Sequence, residues 1–300
     1  MFRRFSALYL LLCSMNVLGC SGGSGNECSR DEDCESNFCR ADGTCAAAND
    51  DGGMGSDSLP PDTTSELCTP NHDDSIVLAE LPLRAGKMAN FRIATDATFN
   101  TAGASSGGGM KRWDLSGALA NDADTAIVLA SSAGAYWAAD FPAATYAAPL
   151  AAGSDLLGVF NVDATAVTLL GVVSPTAGSF GTNITYDPPA IILKLPVTPN
   201  AQWSSSSTVS GTLNGGFVNY TENYESIVDS VGTMKTPYGE FPVMRVATNM
   251  EQLQIVTPFG GKRSFSWLAE CFGSVANATS QDFESSAEFD DPAEVRRLAP

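Results

Sequence analysis

The sequence predicts an all-β protein: a curved antiparallel sheet or open half-barrel, with a β-sandwich as the alternative, preceded by a small disulfide knot. Three observations predict it. Residues 227–276 alternate apolar and polar side chains between turn signals, the pattern of strands with one buried face. No long stretch carries a 3.6-residue apolar period. Gly (28) and Pro (16) are frequent, which suits short strands and many turns better than long helices.

Within 227–276 the first predicted turn is Thr236-Pro237-Tyr238-Gly239, with Pro where φ must lie near −65° and Gly at the exit. The second is Pro258-Phe259-Gly260-Gly261. Between them Phe241, Val243 and Ala247 share a face with Arg245, and Leu253 shares one with Ile255. Beyond the second turn Phe265 and Trp267 share a face. Upstream, strands are expected over 75–81, 88–94, 110–115, 125–130, 134–138, 156–162, 165–173, 190–195, 208–213 and 219–231. Residues 98–109 suggest a Gly/Ser/Ala-rich loop. Residues 143–154 are ambiguous: their alanines suit a short helix, which Pro149 would interrupt. The β domain is thus expected over 68–280, followed by a flexible tail over 281–300, or a helical turn or two begun by Pro292.

The formal charge is −18, from 34 acidic and 16 basic residues. Such a chain repels nucleic acid and anionic lipid surfaces, so nucleic-acid binding is not expected. Acidity keeping an exported protein soluble accounts for the charge.

Residues 1–19 have the form of a processing signal. Arg3 and Arg4 precede a short apolar run over 7–12, too short to span a bilayer. The ending Val17-Leu18-Gly19-Cys20 resembles the lipobox of bacterial lipoproteins, although Leu18 stands where Ser or Ala is more usual. The resemblance implies cleavage before Cys20, a diacylglyceryl group on its sulfur and acylation of the new N-terminus (palmitate among the expected chains). Ser21, in place of an Asp, implies the outer membrane as destination. An ordinary signal peptide with a coincidental cysteine is the alternative.

Residues 20–27 form an expected Gly/Ser tether. Cys28, Cys34, Cys39 and Cys45 lack the Cys-x2-Cys pairs of zinc sites. In an oxidising compartment they imply two disulfides over 28–45, with three connectivities open. The knot resembles small cysteine-rich repeats of the Dickkopf N-terminal type. Asp31, Glu32 and Asp33 suit a solvated acidic loop better than a calcium site, and no metal is expected. Residues 46–67 have a linker's composition, rich in Asp, Gly, Ser and Pro. Cys13 leaves with the signal, so Cys68 and Cys271 remain; they bracket the β domain and are predicted to bond to each other. Two unrelated thiols are the alternative.

Ile192-Leu193-Lys194-Leu195-Pro196 with Trp203 and Ser210-Gly211 resembles a segment of uncharacterised exported bacterial β domains, some of which accompany type IX secretion systems. Val231-Gly232-Thr233 with 236–241, and Ser266-Trp267-Leu268-Ala269 with Gly273-Ser274-Val275, are similar to their later segments. The likeness covers about 190–280 and departs at Cys271, where those domains have Gly or Pro. It implies a fold related to the half-barrel of lipoprotein-localisation factors and assigns no catalytic residues or cofactor.

No catalytic constellation stands out. The single histidine, His72, lies at a loop edge, and neither a Gly-x-Ser-x-Gly elbow nor an HExxH pair occurs. Residues 105–109 lack the Gly-Lys-Ser/Thr ending of a phosphate loop. Two function classes remain. One is a non-catalytic lipoprotein of the cell envelope, periplasmic or surface-exposed, anchored in the membrane by lipid and binding an apolar ligand, lipid or envelope protein. Trp203, Phe241, Phe265 and Trp267 would then contribute apolar surface, or else form ordinary core. The other is a carboxylate-dependent hydrolase acting on surface glycans. A continuous apolar trough favours the first; two carboxylates facing across a cleft favour the second.

Overall fold

A computed structural model of the chain describes residues 68–300; the leader, Cys20, the tether, the knot and the linker lie outside the described residues. The described residues form one sheet of 14 strands and no α-helix. The strands are β1 (Met88–Thr95), β2 (Ala104–Gly107), β3 (Met110–Asp114), β4 (Ala123–Val128), β5 (Tyr146–Pro149), β6 (Leu157–Val162) and β7 (Ala166–Val173). They continue as β8 (Asn183–Lys194), β9 (Gln202–Leu213), β10 (Gly216–Lys235), β11 (Glu240–Gln254), β12 (Thr257–Ala269), β13 (Gly273–Thr279) and β14 (Glu294–Leu298).

Their order is β4-β1-β14-β13-β12-β11-β10-β9-β8-β7-β6-β5, an antiparallel path of 12 strands curling through 289°. The two ends of the path nearly meet. Ala130, just past β4, exchanges backbone hydrogen bonds of 2.7 and 2.9 Å with Ala147 of β5. The predicted open barrel is therefore the architecture, and its curvature leaves little free sheet edge.

β10 organises the curl because it has two successive partners on one side. Residues 216–227 pair with β9, and 232–235 pair in parallel with β3. The changeover coincides with a bulge at Asp229, where the β10–β11 register shifts between Val228 and Ser230. An extra residue there turns the following side chains to the other face. Val228 thus packs with Val246 and Met244 on one face, while Met234 packs with Phe241 and Val243 on the other. Gly232 is required at this fork: a Cβ would lie 1.9 Å from the Lys111 carbonyl oxygen.

The 236–239 turn forms as predicted, with Thr236 N donating to Gly239 O at 2.8 Å. The second turn lies earlier than predicted, at Ile255–Val256, and Pro258–Gly261 belong to β12. Gly260 is there for close approach, since a Cβ would meet the Gln252 side chain at 2.3 Å.

Other expectations need correction. Residues 75–81 form a single bridge, Ile76 to Val197, then a 3-10 turn over Leu78–Glu80, because the Glu80 carboxylate takes the Val77 N–H at 2.9 Å. Residues 134–138 form turns that bury Trp137 against Phe141. The expected loop over 98–109 contains β2, which reverses into β3 through Gly107, Gly108 and Gly109, all at positive φ. Residues 143–154 supply β5. The tail is neither flexible nor helical: β14 lies between β1 and β13, and the sheet continues to the last residues of the chain. Its two arginines hid the strand: Arg297 is paired by Asp122, distant in sequence, and Arg296 by Glu294 of the same strand.

The Cys68–Cys271 disulfide is formed, with Cα atoms 5.5 Å apart and a sequence separation of 203. Cys271 occupies a left-handed turn at φ 68°, a conformation that glycine adopts without steric cost. Opening the bond is expected to destabilise the domain by about 5 kcal/mol in the chain-entropy picture. Urea unfolding of Cys68→Ser/Cys271→Gly and Cys68→Ser/Cys271→Ala should separate the two effects. Both lose the crosslink, but the glycine variant should keep about 1 kcal/mol more. Equal midpoints would contradict the turn argument.

Candidate functional site

Three features of the β domain could carry function: an apolar groove, a buried arginine cluster and a buried glutamate.

The groove encloses about 500 Å³ beside the disulfide. Its floor is apolar, built from strand ends: Val231 of β10, Pro242 and Met244 of β11, and Leu268 of β12. Met110 and Phe272 stand exposed at its mouth. One wall is the strap of residues 68–75, which contributes Pro70, His72 and Asp74. The strap is held by the disulfide and by Glu270, whose Oε2 accepts from Asn71 N (2.7 Å) and His72 N (3.0 Å). His72 is exposed and lines the groove without a nucleophile at hydrogen-bonding distance among the described residues. The volume lies within the range of small-molecule sites.

Of the four aromatics nominated from sequence, the structure brings three together and separates the fourth. Phe241, Phe265 and Trp267 belong to one core cluster, and Trp203 lies in the cluster on the other face. All four are buried as ordinary core. Phe241 alone also lines the groove. Trp203 and Phe265 edge a second, polar cavity of about 670 Å³ with Glu225, Asn249 and Arg263.

Arg245 shares the face of Phe241 and Val243, as its spacing implied, yet it is only 3% exposed. Its guanidinium binds Asp229 through Nε (2.9 Å) and Nη2 (2.7 Å), Glu288 through Nη1 (3.0 Å) and Nη2 (2.6 Å), and the Thr101 carbonyl through Nη1 (2.5 Å). It lies 4.2 Å from the Phe265 ring centroid and 5.5 Å from that of Trp113. Burial opposes the charge, but the two carboxylates outweigh it and hold the arginine pKa above its ordinary value. The bulge presents Asp229, and the 280–293 segment delivers Glu288. The cluster ties three distant segments together and leaves no guanidinium N–H pair open to a ligand.

Glu222 is 3% exposed between Tyr220 and Tyr224 on the same face of β10. Gln252 Nε2 donates to its Oε1 at 3.3 Å, and the Tyr186 and Tyr224 side chains lie beside the carboxylate. Burial raises its pKa, and Tyr186, Gln252 and Tyr224 offset this only in part. A raised folded-state pKa means stability is fully present below the unfolded value of about 4.3 and is lost as pH rises through the folded value. Glu222→Gln should flatten that loss and exceed the wild type by about 1–2 kcal/mol at pH 8. Urea midpoints from pH 4 to 8 check it; parallel curves for both proteins would contradict it.

Sequence reasoning missed Arg245 and Glu222 as structural centres. The available signal was a charge in the middle of a period-two apolar run. Comparison with protein-family models, curated proteins and solved structures gives no match to this chain.

Proposed function

We propose that this chain is a lipid-anchored protein of the bacterial outer membrane, attached through Cys20, whose β domain binds an apolar ligand or partner and does not catalyse. The groove is the observation that carries the reading. Its floor is apolar, it is large enough to take an acyl chain or an apolar side-chain cluster, and a disulfide fixes its wall. The lipobox-like ending and the cysteine usage support the envelope as its location.

The hydrolase reading has a single lining carboxylate, Glu225, at the polar cavity; the groove is lined by Asp74, Glu240 and Glu270, of which Glu270 is engaged in holding the strap. The test is gentle solubilisation of envelopes from the producing cell, affinity isolation, and mass spectrometry of bound lipids and proteins. Wild type should retain an apolar ligand or a partner, and Phe272→Asp, at the exposed mouth, should lose it. A ligand-free monomer that cleaves surface glycans would overturn the proposal.

A further inference from the structure

The most exposed large apolar side chains of the domain gather at the barrel end away from the disulfide. Ile255 (86%), Phe180 (82%), Val256 (81%) and Phe217 (79%) lead the described residues in exposure. They occupy three neighbouring hairpins. Strands β7 to β12 are consecutive and antiparallel, so the β7–β8, β9–β10 and β11–β12 connections emerge at one end. Contacts confirm the grouping. Phe180 lies against the Gly215 turn, with its Cδ1 3.1 Å from where a Cβ would stand. Phe259 of the third hairpin meets Tyr220 of β10 edge-on at 5.3 Å.

Two further features mark these hairpins. Residues 174–182, 213–221 and 252–261 contain no Asp, Glu, Lys or Arg, in a chain that is 17% charged. Ile255 also adopts φ 61°, a left-handed conformation that is unfavourable for a β-branched residue. An exposed isoleucine in a strained turn is disfavoured by both solvation and backbone geometry, so its explanation lies outside the isolated chain.

We infer that these three tips insert into the interfacial layer of a lipid bilayer. Separate, uncharged, apolar fingertips suit a fluid apolar phase, because each can be desolvated without stranding a charge. A flat protein interface would instead call for a continuous complementary patch with a polar rim. Charge returns at Asp282 and Glu284, beside Phe283, whose N–H donates to Gly261 O at 2.8 Å. Lys262 pairs with Asp282 at 3.3 Å and Arg263 donates to the Glu284 carbonyl, so the rim carries both signs; it sets the depth, and the chain's net charge of −18 favours zwitterionic over anionic lipid. The chain preceding Cys68 is long enough for an anchored molecule to present this end. The segments on either side of the expected knot, 21–27 and 46–67, have a contour length of about 95 Å, whereas β12, from the tip to the disulfide end, spans about 40 Å.

The test is flotation of the mature chain carrying Cys20→Ser, hence without an anchor, on phosphatidylcholine/phosphatidylethanolamine vesicles. It should float, and added phosphatidylglycerol should weaken it. Phe180→Ser/Phe217→Ser/Ile255→Ser should partition about tenfold or more weaker, with an unchanged circular dichroism spectrum because these side chains are solvent-exposed. Failure of the unanchored protein to float, or equal flotation of the triple variant, would overturn the inference. So would a dimer, seen by ultracentrifugation, that the triple variant abolishes while vesicles do not compete; the tips would then be a contact between copies. None of these outcomes depends on the groove being occupied.

Discussion

Deleting residues 292–300 is expected to leave a chain without a cooperative unfolding transition. β14 pairs with β1 through five residue pairs and with β13 through four, so its loss removes an internal strand and leaves β1 and β4 joined to the sheet by the Ala130–Ala147 bridge at the other end of the path. Val295 is fully buried and Leu298 is 7% exposed, both in the larger core cluster. Each contributes about 1.5–3 kcal/mol by burial. Arg297, also fully buried, binds Asp122 through Nη1 (2.8 Å) and Nη2 (2.5 Å) and the Gly117 carbonyl through Nη2 (3.1 Å). Burial works against ionised Asp122, yet the Arg297 and Leu119 hydrogen bonds hold its pKa below the usual carboxylate range. Removing the arginine strands that carboxylate, at about 3–5 kcal/mol. Together with five lost backbone pairs on one side, this approaches the whole stability of a domain, about 5–15 kcal/mol. Circular dichroism melts would check it, and a truncated chain melting cooperatively within a few degrees of wild type would contradict it.

Arg245→Ala should be among the most damaging single substitutions, costing about 3–5 kcal/mol, or roughly 10 °C in Tm for a domain of this size. The loss comes from leaving Asp229 and Glu288 facing each other without their cation and from freeing the Thr101 carbonyl, which also accepts from Trp113 Nε1 at 2.8 Å. Glu288→Gln should cost far less, about 1 kcal/mol, because its carboxylate is 37% exposed and is screened by solvent. A double-mutant cycle between the two positions should show strong coupling. Additive losses would mean that the cluster acts as packing and not as an ionic tie.

The fold class was legible because period-two alternation survives wherever a strand has one buried face, as in Phe241, Val243 and Ala247. The disulfide was legible because cysteine accounting left two thiols at the ends of one domain. The last strand was not. In Glu294-Val295-Arg296-Arg297-Leu298 charged residues interrupt the apolar pattern, and only Asp122, 175 residues away, makes a buried Arg297 tolerable. The 75–81 segment reads as a strand by composition, yet Glu80 caps its own turn there. The groove was invisible for a related reason. Its lining comes from the 68–75 strap, β3, β10, β11, β12 and the turn after β12, a combination that local pattern cannot reveal. The nominated aromatics were found by size, and size in a period-two run marks core before it marks a site.

The disulfide-held strap presupposes an oxidising compartment, and the proposed lipid attachment presupposes export to it. Intact-mass analysis with thiol counting, on protein isolated from its own cells, therefore tests the account most directly. It should find a chain beginning at acylated Cys20, with no free sulfhydryl, and a crosslinked peptide joining Cys68 to Cys271. A chain that retains Met1 and carries its cysteines reduced would contradict the proposed anchor, compartment and binding site together.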